Sequence, residues 1–154
     1  CGYWIDKVGK QVLGVDLDFD GNSLLNMGEE SISASNVLSP PSFAVNQNNY
    51  APVGIQTASL VRLVSSAIVQ ITGIIAPNSS RWKKIYLLNV GASNITLVDA
   101  SASSLISNRF AMNGNLILNP NEGAFFVYDQ ISLRWRCLGR AIKKKKTLDR
   151  KYRK

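Results

Sequence analysis

The run AFFVYDQISLRWRCLG, residues 124–139, decides the fold. Apolar and aromatic side chains dominate Ala124–Tyr128, and a second such run spans Leu133–Leu138. Between them lie Asp129, Gln130, Ile131 and Ser132, residue types that suit a tight connection. Two β-type runs joined this way read as a hairpin. Alternation then places the Trp135 indole on one face and the Arg134 and Arg136 guanidinium groups on the other. Trp135 is expected in a core, and the arginines are expected to pair with acids such as Glu122 or Asp129.

The same pattern continues upstream. In SLVRLVSS (59–66), Val61 and Leu63 share one face, and Leu60, Arg62 and Val64 the other. In AIVQITGI (67–74), Ile68 is opposed to Val69 and Ile71 by face. RWKKIYLLNV (81–90) reads as a strand running into a turn at Asn89-Val90-Gly91. SNITLVDA (93–100) sets Ile95 and Leu97 against Thr96 and Val98. NRFAM, a turn at Asn113-Gly114-Asn115, then LILN and the turn NPNEG lead into the final hairpin. SASSLISNRF (101–110) has room for one helical turn. Short β-branched and aromatic segments at these spacings predict an all-β domain, a jelly-roll-like β-sandwich over residues 48–139.

Three regions follow: an extended, strand-rich anchoring or shaft segment at 1–47, the β-sandwich domain at 48–139, and a basic tail at 140–154. Charge separates them sharply. The 154-residue chain has a net charge of +8. Nine of its basic residues and one Asp lie in 140–154, so the remainder, with nine basic and nine acidic residues, is neutral. The tail residues Lys143, Lys144, Lys145, Lys146, Arg150, Lys151, Arg153 and Lys154 cannot build a core, and disorder is expected in the isolated protein. They suit a phosphate-bearing polymer, an acidic neighbouring protein or an anionic cell surface, or simply remain solvated. Nucleic acid is expected, if anywhere, only at this tail. Arg81-Trp82-Lys83-Lys84 mixes basic and aromatic residues as a nucleic-acid groove does, but here reads as a strand entering the sheet.

The chain contains no histidine, the commonest general base and transition-metal ligand. No nucleophile–base pair, phosphate-cradling glycine loop or distinguishable carboxylate pair stands out, so no enzyme activity and no cofactor are expected. Cys1 and Cys137 make no disulfide framework, and Cys137 is expected to be a buried thiol. No stretch approaches the roughly 18 apolar residues of a membrane span. The opening Cys1-Gly2-Tyr3-Trp4 lacks an initiator methionine and a signal-peptide pattern; the chain is expected to be processed or a piece of something longer.

DLDFDGNSLLNMG (16–28) begins like a calcium loop, with Asp16, Asp18, Asp20 and Gly21 at positions 1, 3, 5 and 6. Position 12 falls on Met27, which cannot ligate calcium, so a solvated strand face ending in a turn is expected and no metal site is assigned. Its other face carries Val15, Leu17 and Phe19, an apolar edge too thin to bury itself.

This segment resembles the DLDMNGN-x-I-x-N-L stretch of bacteriophage tail fibres and related virion fibres. The match rests on Leu17, Asp18, Gly21, Asn22, Leu25 and Asn26, and departs at Phe19 and Asp20. A longer resemblance, over roughly 48–139, is to a β domain of phage virion proteins. Its landmarks here are Asn49-Tyr50, Pro52, Gly54, Asn89, Gly91, Ile95-Thr96-Leu97, Ser103-Ser104, Asn108-Arg109-Phe110, Pro120, Gly123, Tyr128-Asp129 and Arg134-Trp135-Arg136. The resemblance implies a structural virion component, a fibre or fibre-like appendage on tail, neck or head, assembled as a homotrimer through residues 17–26. It also implies contact with other virion proteins and, by analogy of family, with host surface glycan. The competing expectation is a capsid or tail decoration protein that grips its neighbours through an extended N-terminus and the basic tail.

Overall fold

A computed structural model describes residues 31–140, the Arg140 side chain excepted. The shaft residues Leu17–Asn26, the Asp16–Gly21 stretch, Cys1 and the tail from Lys143 to Lys154 lie outside the described residues. The described strands belong to one compact unit that begins at Ser33.

Nine strands follow in chain order: β1 (Val37–Leu38), β2 (Leu60–Leu63), β3 (Val69–Ile71), β4 (Lys84–Asn89), β5 (Ile95–Leu97), β6 (Phe110–Ala111), β7 (Leu116–Leu118), β8 (Gly123–Asp129) and β9 (Arg134–Arg140). The single-turn expectation for 101–110 corresponds to a 3₁₀ turn at Ile106–Asn108. The strands form a six-stranded sheet, ordered β1-β2-β4-β8-β9-β6, and a three-stranded sheet, β3-β5-β7. Val61, Leu63, Ile85, Leu87, Phe126 and Trp135 from the large sheet join Val69, Ile71, Ile95, Leu97, Leu116 and Leu118 from the small one in a single core. The faces anticipated from alternation are those observed. Val61 and Leu63 are buried beside exposed Arg62, and Val69 and Ile71 beside exposed Gln70.

The all-β, two-sheet character is as expected, but the pairing is not that of a jelly roll. β1/β2, β2/β4, β3/β5 and β6/β9 are parallel. Val37 lies beside Leu60, and Leu60 beside Tyr86, steps of 23 and 26 residues. Gln47 lies beside Ile71, and Tyr50 beside Ile74, again in parallel. The chain therefore circulates: it leaves the large sheet, crosses the small one and returns one rung further on. Parallel neighbours require such long crossovers, and residues 64–83, which contain β3, provide the one between β2 and β4. Alternation specifies which face is buried but carries no information on neighbour direction, and this is why the jelly-roll expectation failed.

The rungs run from 37 to 50, from 60 to 74 and from 86 to 97. A reversed rung then closes the stack: β7 lies antiparallel to β5, and β8 antiparallel to β4. The β8–β9 hairpin is antiparallel, as the sequence predicts, with a register irregularity between Phe125 and Phe126. Pairing also reaches upstream of residue 48. Phe43 bridges Ser65, and the Phe43 amide donates to the Val64 carbonyl at 3.2 Å, so residues 37–47 are the first rung of the β body.

Candidate functional site

Three local arrangements concentrate polar or aromatic side chains: a partly buried polar network, the outer face of the large sheet, and a groove beside Trp82.

The polar network gathers four of the landmark residues, Asn49, Ser104, Asn108 and Arg109. The Asn49 amide donates to Ser104 Oγ at 2.8 Å. Ser104 Oγ and Thr72 Oγ1 lie 2.7 Å apart, and Thr72 Oγ1 donates to Asn48 Oδ1 at 2.7 Å. With Thr72 donating to Asn48, the Ser104 hydroxyl is the donor to Thr72, so one proton direction satisfies the chain. Asn49 Oδ1 accepts from the Leu105 amide at 2.7 Å and from Asn108 Nδ2 at 2.9 Å. Asn108 Oδ1 accepts from the Ala76 amide at 2.8 Å. Arg109 Nε donates to the Ser104 carbonyl at 2.8 Å, closing its loop on a backbone carbonyl as the sequence suggests. Asn49 holds a left-handed φ of 51°, a conformation its short polar side chain tolerates. Gly73 leaves no room here: an added Cβ would lie 2.5 Å from the Asn108 carbonyl and 2.7 Å from Ser104 Oγ. The Ser104 and Thr72 hydroxyls and the Asn49 and Asn108 amide oxygens are spent on the protein itself. The network fastens the 101–109 loop to the first two rungs.

Asn89 does a similar job between the sheets. It is fully buried; its Nδ2 donates to the Leu118 and Ser93 carbonyls, each at 2.8 Å, and its Oδ1 accepts from the Gly91 amide at 3.0 Å. In the hairpin turn, Asp129 accepts from Arg136 Nε at 2.7 Å, from Ser132 Oγ at 2.7 Å and from the Ile131 and Ser132 amides. The Arg136 bond, then the Ser132 hydroxyl and the two amides, hold its carboxyl well below the usual carboxylate range. Of the two acids considered for the arginine face, Asp129 pairs with Arg136. Glu122 instead accepts from the Asn119 amide and side chain. Cys137 is half-buried against the core, short of the full burial expected.

The outer face of the large sheet is apolar at its centre. Leu60, Tyr86, Leu88 and Phe125 are half-buried there. The Tyr86 and Phe125 rings stack with centroids 4.4 Å apart and planes inclined by 19°. With Gly123 and Gly139 they line a shallow depression of about 260 Å³.

The third feature is a groove of about 590 Å³ between the start of β2 and the 76–84 segment. Arg81, Trp82 and Lys84 line it together with Asn36, Gln56 and Asn78, and among the described residues no Asp or Glu does. Trp82 is 53% exposed. β4 starts only at Lys84, so Arg81–Lys83 belong to a loop, not to the strand that their sequence suggests. That loop is tied down by two glutamines. Gln56 Nε2 donates to the Ala76 carbonyl at 3.0 Å, and Gln56 Oε1 accepts from the Asn78 amide at 3.0 Å. Gln130 Nε2 donates to the Ser79 and Arg81 carbonyls at 3.1 and 2.7 Å. Lys83 Nζ donates to the Ala58 and Gln56 carbonyls at 2.6 and 3.1 Å. Burial, and secondarily the nearby Arg81 charge, lower the Lys83 pKa.

Sequence reasoning singled out Arg81–Lys84 but missed Asn36, Gln56, Asn78 and Gln130. They carry no motif; Asn36 and Gln56 reach the loop through the parallel winding and Gln130 through the β8–β9 hairpin. Among the described residues no group of three or more His, Cys, Asp or Glu is placed to hold a metal ion, and no helix is long and apolar enough to cross a membrane. No family model, no curated protein and no solved structure matches the chain.

Proposed function

We propose that the chain is a structural, non-enzymatic component of a bacteriophage virion, part of a fibre or fibre-like appendage. In this reading it assembles as a homotrimer, sits among other virion proteins and touches host surface glycan. One observation carries the proposal: the strands stack as parallel rungs, with β1 terminal at one end of the described sheet and a reversed rung on the far side of β4 and β5. A rung cannot bury its apolar edge alone, and stacking builds an architecture along one axis. Such a coil suits a projecting appendage. The half-buried cluster of Leu60, Tyr86, Leu88 and Phe125 supports self-association, since continuous apolar area on a sheet face favours a covering surface. The phage resemblance of residues 16–28 and 48–139 supplies the virion context.

Immunogold electron microscopy of purified particles tests this reading. Label on thin projections from tail, neck or head is the expected result. Label spread evenly over the capsid lattice supports the decoration role instead, and absence of the protein from particles contradicts both.

A further inference from the structure

We propose that the Trp82 groove binds an acidic saccharide, a sugar unit bearing carboxylate, sulfate or phosphate. The inference deepens the adhesive part of the reading above and rests on it. Its chemistry comes from the groove alone.

Trp82 presents a broad apolar ring to solvent, on a loop that Gln56 and Gln130 hold at four backbone positions. A fixed aromatic surface loses little conformational freedom when a ligand stacks on it. The C–H face of a sugar ring is a matching partner. Asn36 and Asn78 also line the groove, and their amides offer both donors and acceptors, as a ring of hydroxyl groups demands. Arg81 and Lys84 add positive charge, and among the described residues no carboxylate lines the groove to oppose an anion. The Arg81 fork is the side chain best shaped for a carboxylate, sulfate or phosphate. Lys83 is a strut, because its ammonium is committed to the Gln56 and Ala58 carbonyls. The volume of about 590 Å³ falls within the range of small-ligand sites. A single-stranded nucleic acid fits less well. Grooves for it stack successive bases on several aromatics along a run of cations, and here one exposed indole stands beside two cations, Arg81 and Lys84.

Calorimetric titration of the whole chain tests the proposal, with a tetrasaccharide of galacturonic acid, a neutral glucose tetrasaccharide and a tetrathymidylate as probes. The acidic tetrasaccharide is expected to bind with a Kd of about 1 mM or tighter, and the neutral one about tenfold or more weaker. Trp82→Ala and Arg81→Gln should each weaken the acidic sugar by about tenfold, with unchanged thermal midpoints. Replacing Lys143, Lys144, Lys145 and Lys146 by Ala should leave it within about twofold, which separates the groove from the tail's general attraction for anions. Binding that vanishes with the tail lysines, binding indifferent to Trp82, or no saturable binding overturns the proposal. Tetrathymidylate binding as tightly, with the same Trp82 dependence, overturns it in favour of nucleic acid. None of these results alters the oligomer mass or the location on particles, so the groove can fail while the appendage reading stands.

Discussion

The Trp135 indole N–H donates to the Ile74 carbonyl at 2.9 Å, joining residues 61 positions apart. The bond ties the last described strand to the end of the second rung. Trp135 is fully buried, and Tyr128 meets its ring edge-on at 5.0 Å. Tyr128 in turn donates its hydroxyl to the Ser107 carbonyl at 2.8 Å. One aromatic pair therefore fixes the hairpin, the 3₁₀ turn and the second rung together.

Trp135→Ala is expected to cost about 3–5 kcal/mol, the range for emptying a large aromatic site. Trp135→Phe should cost less by volume, but it leaves the Ile74 carbonyl without its donor. Urea denaturation of both variants checks the order. An Ala variant within about 1 kcal/mol of the parent would contradict this keystone role.

Ser104→Ala removes the middle of the hydroxyl chain and leaves the Asn49 amide unpaired. A loss of about 1 kcal/mol or more is expected for a half-buried donor left without its acceptor and a buried hydroxyl pair broken. A double-mutant cycle with Thr72→Val should show coupling of at least about 0.5 kcal/mol. Simple additivity would mean that the two hydroxyls do not act as one network.

Tyr50 gives a prediction of opposite sign. Its hydroxyl is buried without a hydrogen-bond partner, and burial pushes its pKa from 10.0 up to about 12. Tyr50→Phe should leave stability unchanged or raise it by up to about 1 kcal/mol. The folded state holds the phenol proton to higher pH than the unfolded chain does. The parent should therefore lose stability as pH rises from 10.0 towards about 12, and the Phe variant should lose less. Denaturation midpoints across that range provide the comparison, and identical slopes would contradict the burial of Tyr50.

Asp129 sets the acid limb. Its folded pKa lies below the ordinary 3.8, chiefly through Arg136. Its contribution is complete above that ordinary value and is lost as pH falls towards the folded one. Asp129→Asn should flatten the parent's decline in thermal midpoint on acidification, and an unchanged acid slope would show that the Arg136 pair matters little to folding.

Much of this architecture is legible in the residues. The inward positions Val61, Leu63, Val69, Ile71, Ile95, Leu97 and Trp135 follow from period-two alternation, because each strand is short and buried on one face. The hairpin about Asp129 follows from its turn residues. The winding does not. Val37 meets Leu60 and Leu60 meets Tyr86 through crossovers whose direction leaves no local trace. β1, only two residues long, has no periodicity to read, which is why the expected boundary at 48 falls inside pairing that starts at Val37. The Trp82 groove is only partly legible: the basic-aromatic run is local, but Asn36 and Gln56 reach it through the winding.

In the proposed function the chain works as an assembled, projecting component. The most direct measurement is the mass of the full chain in solution, by sedimentation equilibrium over a wide range of dilution. The account predicts a species of three times the 16.9 kDa chain mass that persists on dilution. A single 16.9 kDa species at every concentration would contradict it.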